Sequence, residues 1–502
     1  MAELLLGIDI GTASSKAVLA RPDGTVVATA QRPHAVSMPR PGWVEHDAEA
    51  IWLRDVRALC DAVLTPRTRS QLGGVCVSGI GPCLLPCDAA DRPLRPAILY
   101  GVDTRAQSEI EELDRRYGKE EILRRGGSTL SSQAIGPKLL WLQRHEPELW
   151  DRTARWYMAS SFIVARLTGE YVLDHHSASQ CDPMYDLEAS DWSVDWAEEL
   201  AGGVPLPRLV WPAEVVGRVT VSGAEASGLP VGLPVAAGTV DAWAEAFSVG
   251  VRRPGDMMLM YGSTLFIVAI CGEPRAHPKL WATNGVEPNT RCLAAGMATS
   301  GAVIEWLREL VGGASIETLV AEAAETPPGA DGLLALPYFA GERSPLFDPD
   351  ARGIIAGLTL SHNRGHIARA IYEATAFGVR HNLEAMNTAG ISPRRVVAVG
   401  GGAKAGFWLQ VVSDVAGIDQ LLPEQTIGAS YGDALMAGIA TGLVAPDVDW
   451  ATARERIEPQ QREPYESLYG LYRQLYEETM EVSHELAAMQ RGGAQKAERM
   501  CS

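Results

Sequence analysis

One pattern constrains this chain more than any other, and it occurs twice: an apolar run that ends on a glycine followed by a hydroxyl residue. Near the start, Leu4-Leu5-Leu6-Gly7-Ile8-Asp9-Ile10 leads into Gly11-Thr12-Ala13-Ser14-Ser15-Lys16. A second apolar run, Ala17-Val18-Leu19-Ala20, then meets a Pro22-Asp23-Gly24 turn and Thr25-Val26-Val27-Ala28. The pattern reads as strand, tight Gly-polar turn, strand, turn, strand. Half a chain later, Met257-Met258-Leu259-Met260-Tyr261 leads into Gly262-Ser263-Thr264 and then Leu265-Phe266-Ile267-Val268-Ala269-Ile270. Gly11-Thr12 and Gly262-Ser263 hold equivalent places, and glycine allows such a turn to approach a ligand closely. An apolar run before Gly-Ser/Thr is common, so chance recurrence is one reading. The other is two homologous lobes, each opening with a hairpin whose turn offers backbone N–H groups and a hydroxyl.

The rest of the chain alternates short strands and helices. Leu233-Pro234-Val235-Ala236-Ala237 runs into Gly238-Thr239-Val240-Asp241, with Asp241 where a helix begins. Val396-Val397-Ala398-Val399 reads as a buried strand turned by Gly400-Gly401-Gly402, and Trp408, Val411, Val412 and Val415 follow at helical spacing. Residues 465–489 form an amphipathic closing helix carrying Tyr465, Leu468, Tyr469, Tyr472, Leu475 and Tyr476. Such alternation indicates an α/β protein with layered sheets.

Composition excludes several classes. A chain of 502 residues suggests two to four domains. Hydrophobic residues at 46% and a mean hydropathy of −0.02 describe a globular chain, not a disordered one. With 44 Lys and Arg against 62 Asp and Glu, the net charge of −18 argues against a general nucleic-acid binder. No stretch approaches the roughly 18 consecutive apolar residues of a membrane helix. The N-terminus lacks the basic region and cleavage site of a signal peptide. The eight cysteines are sparse and irregular, as expected for reduced, mostly buried thiols in a cytoplasmic protein.

A few residues invite chemistry. Asp9 interrupts an apolar strand, where a carboxylate is costly unless paired, hydrated or on a metal. It is either a strand-end residue bonding the next turn or a ligand, direct or through water, for a nucleotide-bound Mg²⁺. Thr12, Ser14 and Lys16 add hydroxyls and one cation around the same turn. Asp241 is either a helix N-cap or a carboxylate that takes a proton from a substrate hydroxyl. The glycine after Gly402 is Gly406, so the dinucleotide pattern G-x-G-x-x-G is not satisfied. His175-His176 reads as a polar loop pair, since no third ligand stands nearby.

Taken together, these segments resemble the FGGY family of carbohydrate kinases, within the actin/hexokinase/heat-shock-protein-70 nucleotide-binding superfamily, over nearly the whole chain. Gly7-Ile8-Asp9-Ile10-Gly11-Thr12 is similar to the family's first phosphate loop and Gly262-Ser263 to the second. Lys138-Leu139-Leu140-Trp141-Leu142 resembles the K-L-x-W-L signature, with Ile135 departing from the usual Ser, Thr or Pro. Gly238-Thr239-Val240-Asp241-Ala242 resembles the catalytic-aspartate segment. Gly301-Ala302-Val303-Ile304-Glu305 resembles the helix start beside the nucleotide, and Gly357-Leu358-Thr359-Leu360-Ser361-His362, with Arg369 and Glu373, the second signature. Gly400-Gly401-Gly402-Ala403, with Trp408, Gln410 and Asp414, resembles the adenosine motif.

The resemblance implies an α/β fold of two ribonuclease-H-like lobes, of the actin/hexokinase type, around a nucleotide cleft. The N-terminal lobe, 1–245, would hold the sugar and the first phosphate loop. The C-terminal lobe, 246–490, would hold the second phosphate loop and the adenosine site, and 491–502 would be a disordered tail. It also implies ATP and Mg²⁺, with Asp9 holding the hydrated metal and Asp241 acting as general base. Thr12, Ser14, Lys16 and Ser263 would bind the phosphates. Gly301, Glu305, Gly402, Ala403 and Gly406 would lie on the adenosine side. A cytoplasmic enzyme acting on a small sugar, with no nucleic-acid or membrane partner, follows, and a homodimer is a family-level expectation.

The acceptor is less constrained. Gly81, Pro82, Asp103 and Arg105 are candidates for the sugar pocket; the last two match a W-x-D-x-R-like segment, with a structural ion pair as the alternative. The Met-His pair of xylulokinases is absent from Gly79-Ile80-Gly81-Pro82-Cys83, as is the Asn-Gln-Arg-Glu-Thr stretch of glycerol kinases. Arg95-Pro96-Ala97-Ile98-Leu99 and Asp191-Trp192-Ser193 resemble xylulokinase-like members. The expectation is phosphorylation of D-xylulose to D-xylulose 5-phosphate, with another ketose, polyol or sugar acid open. The alternative of a different class is an actin- or chaperone-like ATPase switch.

Overall fold

The computed structural model describes residues 3–501, with side chains described through Arg491. It divides into two compact units, one of Met1–Pro254, Ile270–Cys292 and Ile427–Thr452, the other of Gly255–Ala269, Leu293–Thr426 and Ala453–Ser502.

The first unit is built on a six-stranded sheet. Its strands are β1 (Leu4–Ile10), β2 (Ser14–Ala20), β3 (Val26–Pro33), β4 (Leu72–Gly79), β5 (Val215–Arg218) and β6 (Pro234–Ala236), in the spatial order β5-β6-β4-β1-β2-β3. β1 pairs antiparallel with β2 and parallel with β4, and β6 runs parallel to β4. β1 is buried along its whole length, as a strand covered on both faces must be. Leu4, Leu6, Ile8 and Ile10 join a core with Trp52 and with Val56 and Leu59 of helix α1 (Arg54–Val63). The alternate residues turn to the opposite face. There a helix from late in the chain, the later-numbered α7 (Ala429–Ala440), covers Gly7 so closely that a methyl group at Gly7 would collide with the Ser430 carbonyl and lie 2.5 Å from the Ala434 nitrogen.

Four more helices matter here. α2 (Ile135–His145) carries the K-L-x-W-L segment and α3 (Asp241–Ser248) the candidate base, both in the first unit, while α4 (Gly301–Leu310) belongs to the second. α5 (Arg364–Thr388), also in the second unit, begins on a capping box at Asn363 and buries most of its length, including an Arg369–Glu373 ion pair bonded to Tyr465.

The second unit repeats the plan. Its strands β7 (Asp256–Tyr261), β8 (Leu265–Cys271), β9 (Arg291–Met297), β10 (Arg395–Val399), β11 (Gln420–Pro423) and β12 (Ala453–Ile457) lie in the order β9-β8-β7-β10-β11-β12 within a seven-stranded sheet. β7, like β1, has an antiparallel hairpin partner on one side and a parallel strand on the other. Both hairpins turn over three residues, 11–13 and 262–264, and Gly11 N–H donates to the Ser14 carbonyl as Gly262 N–H does to that of Thr264. The two turns hold the same place in their sheets, although the first encloses one more residue between its last paired positions; the shared place favours repetition over chance. α6 (Gly406–Ala416) follows the triple glycine, and α8 (Tyr465–Cys501) closes the chain. The expected tail, 491–502, lies largely outside the residues with described side chains, although the helix continues to Cys501.

Two local expectations change. His175 and His176 begin a one-turn helix, and His176 is buried, with Nδ1 2.8 Å from the Asn284 carbonyl. The pair is therefore no polar loop: the Asp174 carboxylate caps the turn through the Ser177 N–H. Seven cysteines are unpaired and buried; Cys501 lies outside the residues with described side chains. Among the described residues, no helix is long and apolar enough to cross a membrane.

Candidate active site

In the first unit, the sheet register gathers the chemistry. Asp9 lies directly opposite Lys16 on β2 and Ser78 on β4, so all three side chains project from one face near the end of β1. Asp9 is 6% exposed, accepts no hydrogen bond among the described residues, and its Oδ1 is a buried atom without a partner. Burial, followed by the charge of Asp241, holds its carboxyl well above the ordinary range, and Lys16 opposes them.

Asp241 is the first residue of α3; Val240 occupies the cap position. The N-cap reading is therefore off by one, and among the described residues the carboxylate takes only the neighbouring Ala242 N–H, at 2.7 Å. Its segment is fixed by Gly238, whose φ of +70° and contact with the Val77 carbonyl leave no room for a side chain. Burial pushes Asp241 up to about 7, with Glu245 adding repulsion and Lys16 opposing it. A carboxyl titrating there is poised to accept a proton at neutral pH.

Two further acids were not singled out from the sequence. Glu245 sits one turn after Asp241 on α3, so both point to the same side. Its carboxylate also lies at the start of α7, where a methyl on Gly428 would stand 3.5 Å from Oε2. Asp433, fully buried on α7, accepts the Ser78 hydroxyl at 2.6 Å and is raised by burial first and then by Asp9. The available signals were helical spacing from Asp241 and a lone carboxylate inside the apolar stretch Ala429–Ala440.

The remaining residues of this unit fall into two groups. Thr12 Oγ1 lies 3.1 Å from the Tyr100 hydroxyl, and Ser14 Oγ accepts from Gln31 at 3.1 Å. Gly81 packs against Val240, beside Asp241, and Pro82 is buried next to it. Asp103 and Arg105 are bonded to each other, Nη2 to Oδ2 at 2.7 Å and Nε to Oδ1 at 2.9 Å. Asp103 also accepts the Val44 N–H, and Arg105 reaches Glu45 at 2.8 Å and lies over the Trp43 ring at 4.0 Å. One guanidinium nitrogen, Nη1, is left buried without a partner. Lys138 is buried nearby on α2, donates to the Ser132 carbonyl at 2.7 Å, and burial lowers its ammonium to about 8.

The second unit carries the other turn. The N–H groups of Ser300, Gly301 and Ala302 donate to the carbonyls of Ser263, Gly262 and Ser263, which seats the start of α4 on the turn. A side chain at Gly301 would lie 2.6 Å from the Gly262 carbonyl. Ser300 Oγ is buried there without a partner. Gly402 packs against Trp408 and Tyr261, and Ala403 is buried beside it. Gly406 opens α6 facing free space. Glu305 is exposed and paired with Arg308 at 2.9 Å.

A divalent cation fits the first unit. Among the described residues, no three His, Cys, Asp or Glu side chains converge to enclose a metal, but Asp9 offers an unpartnered buried oxygen. One or two carboxylates, with the rest supplied by water and phosphate, is how Mg²⁺ is usually held.

Two sheets of one plan, each with a Gly-hydroxyl hairpin turn, fit the two-lobed class to which sugar phosphotransferases belong. The sequence agrees. Residues 4–248 match the N-terminal domain and residues 257–441 the C-terminal domain of the FGGY family of carbohydrate kinases. The chain belongs to that family and is a carbohydrate kinase. It is 30% identical to xylulose kinase of Escherichia coli, over 87% of this chain and 90% of that one. It is also 30% identical to glycerol kinase of Nocardia farcinica, over 88% and 91%. The crystal structure of xylulose kinase from Rhodospirillum rubrum superposes with a TM-score of 0.88 at 34% identity, covering 96% and 100%.

Proposed function

We propose that this kinase transfers the γ-phosphoryl group of ATP to a hydroxyl of D-xylulose, giving D-xylulose 5-phosphate. The observation that carries the chemistry is Asp241, a half-buried carboxyl raised to about 7 at the head of α3. It accepts the proton of the attacking hydroxyl, while positioning and charge stabilisation supply most of the rate. The turn at Thr12, Ser14 and Lys16 binds phosphate oxygens, and Ser263 does so from the second turn. Gly301, Glu305, Gly402, Ala403 and Gly406 lie on the adenosine side. Asp9 holds hydrated Mg²⁺, which when bound neutralises phosphate charge.

We assign the sugar and first phosphate loop to an N-terminal lobe, 1–245, and the second loop and adenosine to a C-terminal lobe, 246–490. Gly81 and Pro82, packed beside Val240, border the sugar. Asp103 and Arg105 satisfy each other, so Arg105 Nη1 is the donor left for a sugar hydroxyl. The choice of D-xylulose draws on xylulose kinases among the similar proteins. Glycerol kinases are also among them, which keeps other ketoses, polyols and sugar acids in the test. A cytoplasmic homodimer completes the proposal.

ADP release measured over ketopentoses, pentitols, glycerol, hexuloses and aldonic acids tests it. D-xylulose is expected to give the highest kcat/KM. A higher value with another acceptor replaces the sugar, and ATP hydrolysis indifferent to every acceptor favours the ATPase switch.

A further inference from the structure

The first hairpin turn is held from beneath by a buried chain of side chains that the transfer chemistry does not use. His34, the residue after β3, has a side chain only 2% exposed. Its Nδ1 lies 2.9 Å from Asp55 Oδ2 and its Nε2 3.1 Å from the carbonyl oxygen of Gly11. Its main-chain N–H donates to the Ala13 carbonyl at 3.0 Å. One residue therefore grips both ends of the turn.

Asp55, fully buried on α1, fixes the ring from the other side. It also accepts the Ser15 hydroxyl at 3.1 Å and Arg32 Nε at 2.8 Å, with the Arg54 guanidinium at 3.6 Å. His46 meets the His34 ring edge-on at 5.2 Å and takes the Trp52 indole N–H on Nδ1. The ring of His34 thus has one available orientation.

A carbonyl oxygen can only accept, so Nε2 carries the hydrogen in the bond to Gly11. The Gly11 carbonyl and the Thr12 N–H belong to one planar trans peptide and point in opposite directions. Anchoring the carbonyl toward His34 sends the Thr12 N–H out of the other side of the turn. That N–H has no acceptor among the described residues. An outward, unpaired backbone N–H on a glycine turn is an anion donor.

We infer that His34 is a positioning residue for ATP: it sets the Gly11–Thr12 peptide so that the Thr12 N–H donates to the phosphate chain. The inference rests on the first turn being a phosphate site, as proposed above, and adds a residue that touches neither nucleotide nor sugar. Side chains at the turn can be read from sequence, but the orientation of a peptide plane cannot.

Titration calorimetry on the full chain, with MgADP and with AMP, tests it together with hydrogen exchange. In the wild type, MgADP is expected to slow exchange at the amides of Gly11–Ser14. His34→Ala is expected to weaken MgADP about tenfold or more while AMP, which lacks the outer phosphate, binds as before. His34→Gln, which keeps one N–H donor, is expected to recover part of that loss. Equal weakening of MgADP and AMP, or unchanged MgADP affinity in His34→Ala, overturns the inference. A wild type that fails to bind MgADP overturns the ATP reading itself. Should His34→Ala not fold, unchanged wild-type exchange at Gly11–Ser14 with MgADP still overturns the role of His34.

Discussion

At the scale of single residues, the site is a balance of charge, with Asp9 buried and Lys16, Asp241 and Glu245 half-buried. Asp9, Asp241 and Glu245 face one cation, Lys16, and burial is the largest cause of each carboxyl's upward shift. Two consequences follow for Asp241. As the proposed base it must be deprotonated, so kcat/KM for the sugar is expected to rise with pH through about 7 and then level; a profile flat from pH 5.5 to 8 contradicts this. Its carboxyl is raised above the ordinary 3.8, so the folded protein binds that proton more tightly than the unfolded chain. The stability it contributes is full below about pH 4 and lost as pH rises through about 7. Asp241→Asn is therefore expected to stabilise the ligand-free protein at pH 8 by on the order of 2 kcal/mol. Denaturant melts at pH 5 and 8 check this, and a variant less stable than wild type at pH 8 contradicts it.

At the scale of elements, close approach decides the arrangement. α7 reaches the sheet because Gly7 has no side chain, which brings Asp433 to Ser78 beside Asp9. Gly7→Ala is expected to push the helix away and cost about 3 kcal/mol, seen as a lower urea midpoint; an unchanged midpoint contradicts this packing. The two hairpins were legible because alternation, glycine and hydroxyl residues stand together in a few positions. Asp241 was legible as a helix start, although its place one residue inside the helix was not. The contribution of α7 was not legible: Asp433 is far in sequence from Asp9, and nothing local in Ala429–Ala440 names the strand it covers. The same limit applies to His34, whose partners Gly11 and Asp55 lie on two other elements. Asp103 and Arg105 were legible as a pair, and geometry adds the contacts to Glu45 and Trp43 that hold them.

At the scale of the whole molecule, the repeated sheet plan accounts for the feature seen first, two equivalent turns half a chain apart. The net charge of −18 does not oppose a polyanionic cofactor, because it is screened over roughly 8 Å at physiological salt while the proposed donors, the turn N–H groups and Lys16, would act locally. Chelation by EDTA is expected to abolish transfer and added Mg²⁺ to restore it; full activity in EDTA contradicts the role given to Asp9. The central claim is that Asp241 takes the proton of the sugar hydroxyl, and the most direct measurement compares Asp241→Asn with wild type. Unchanged MgADP affinity by calorimetry is expected, with sugar-stimulated ADP release slower by about three orders of magnitude or more. Turnover near that of the wild type would contradict it.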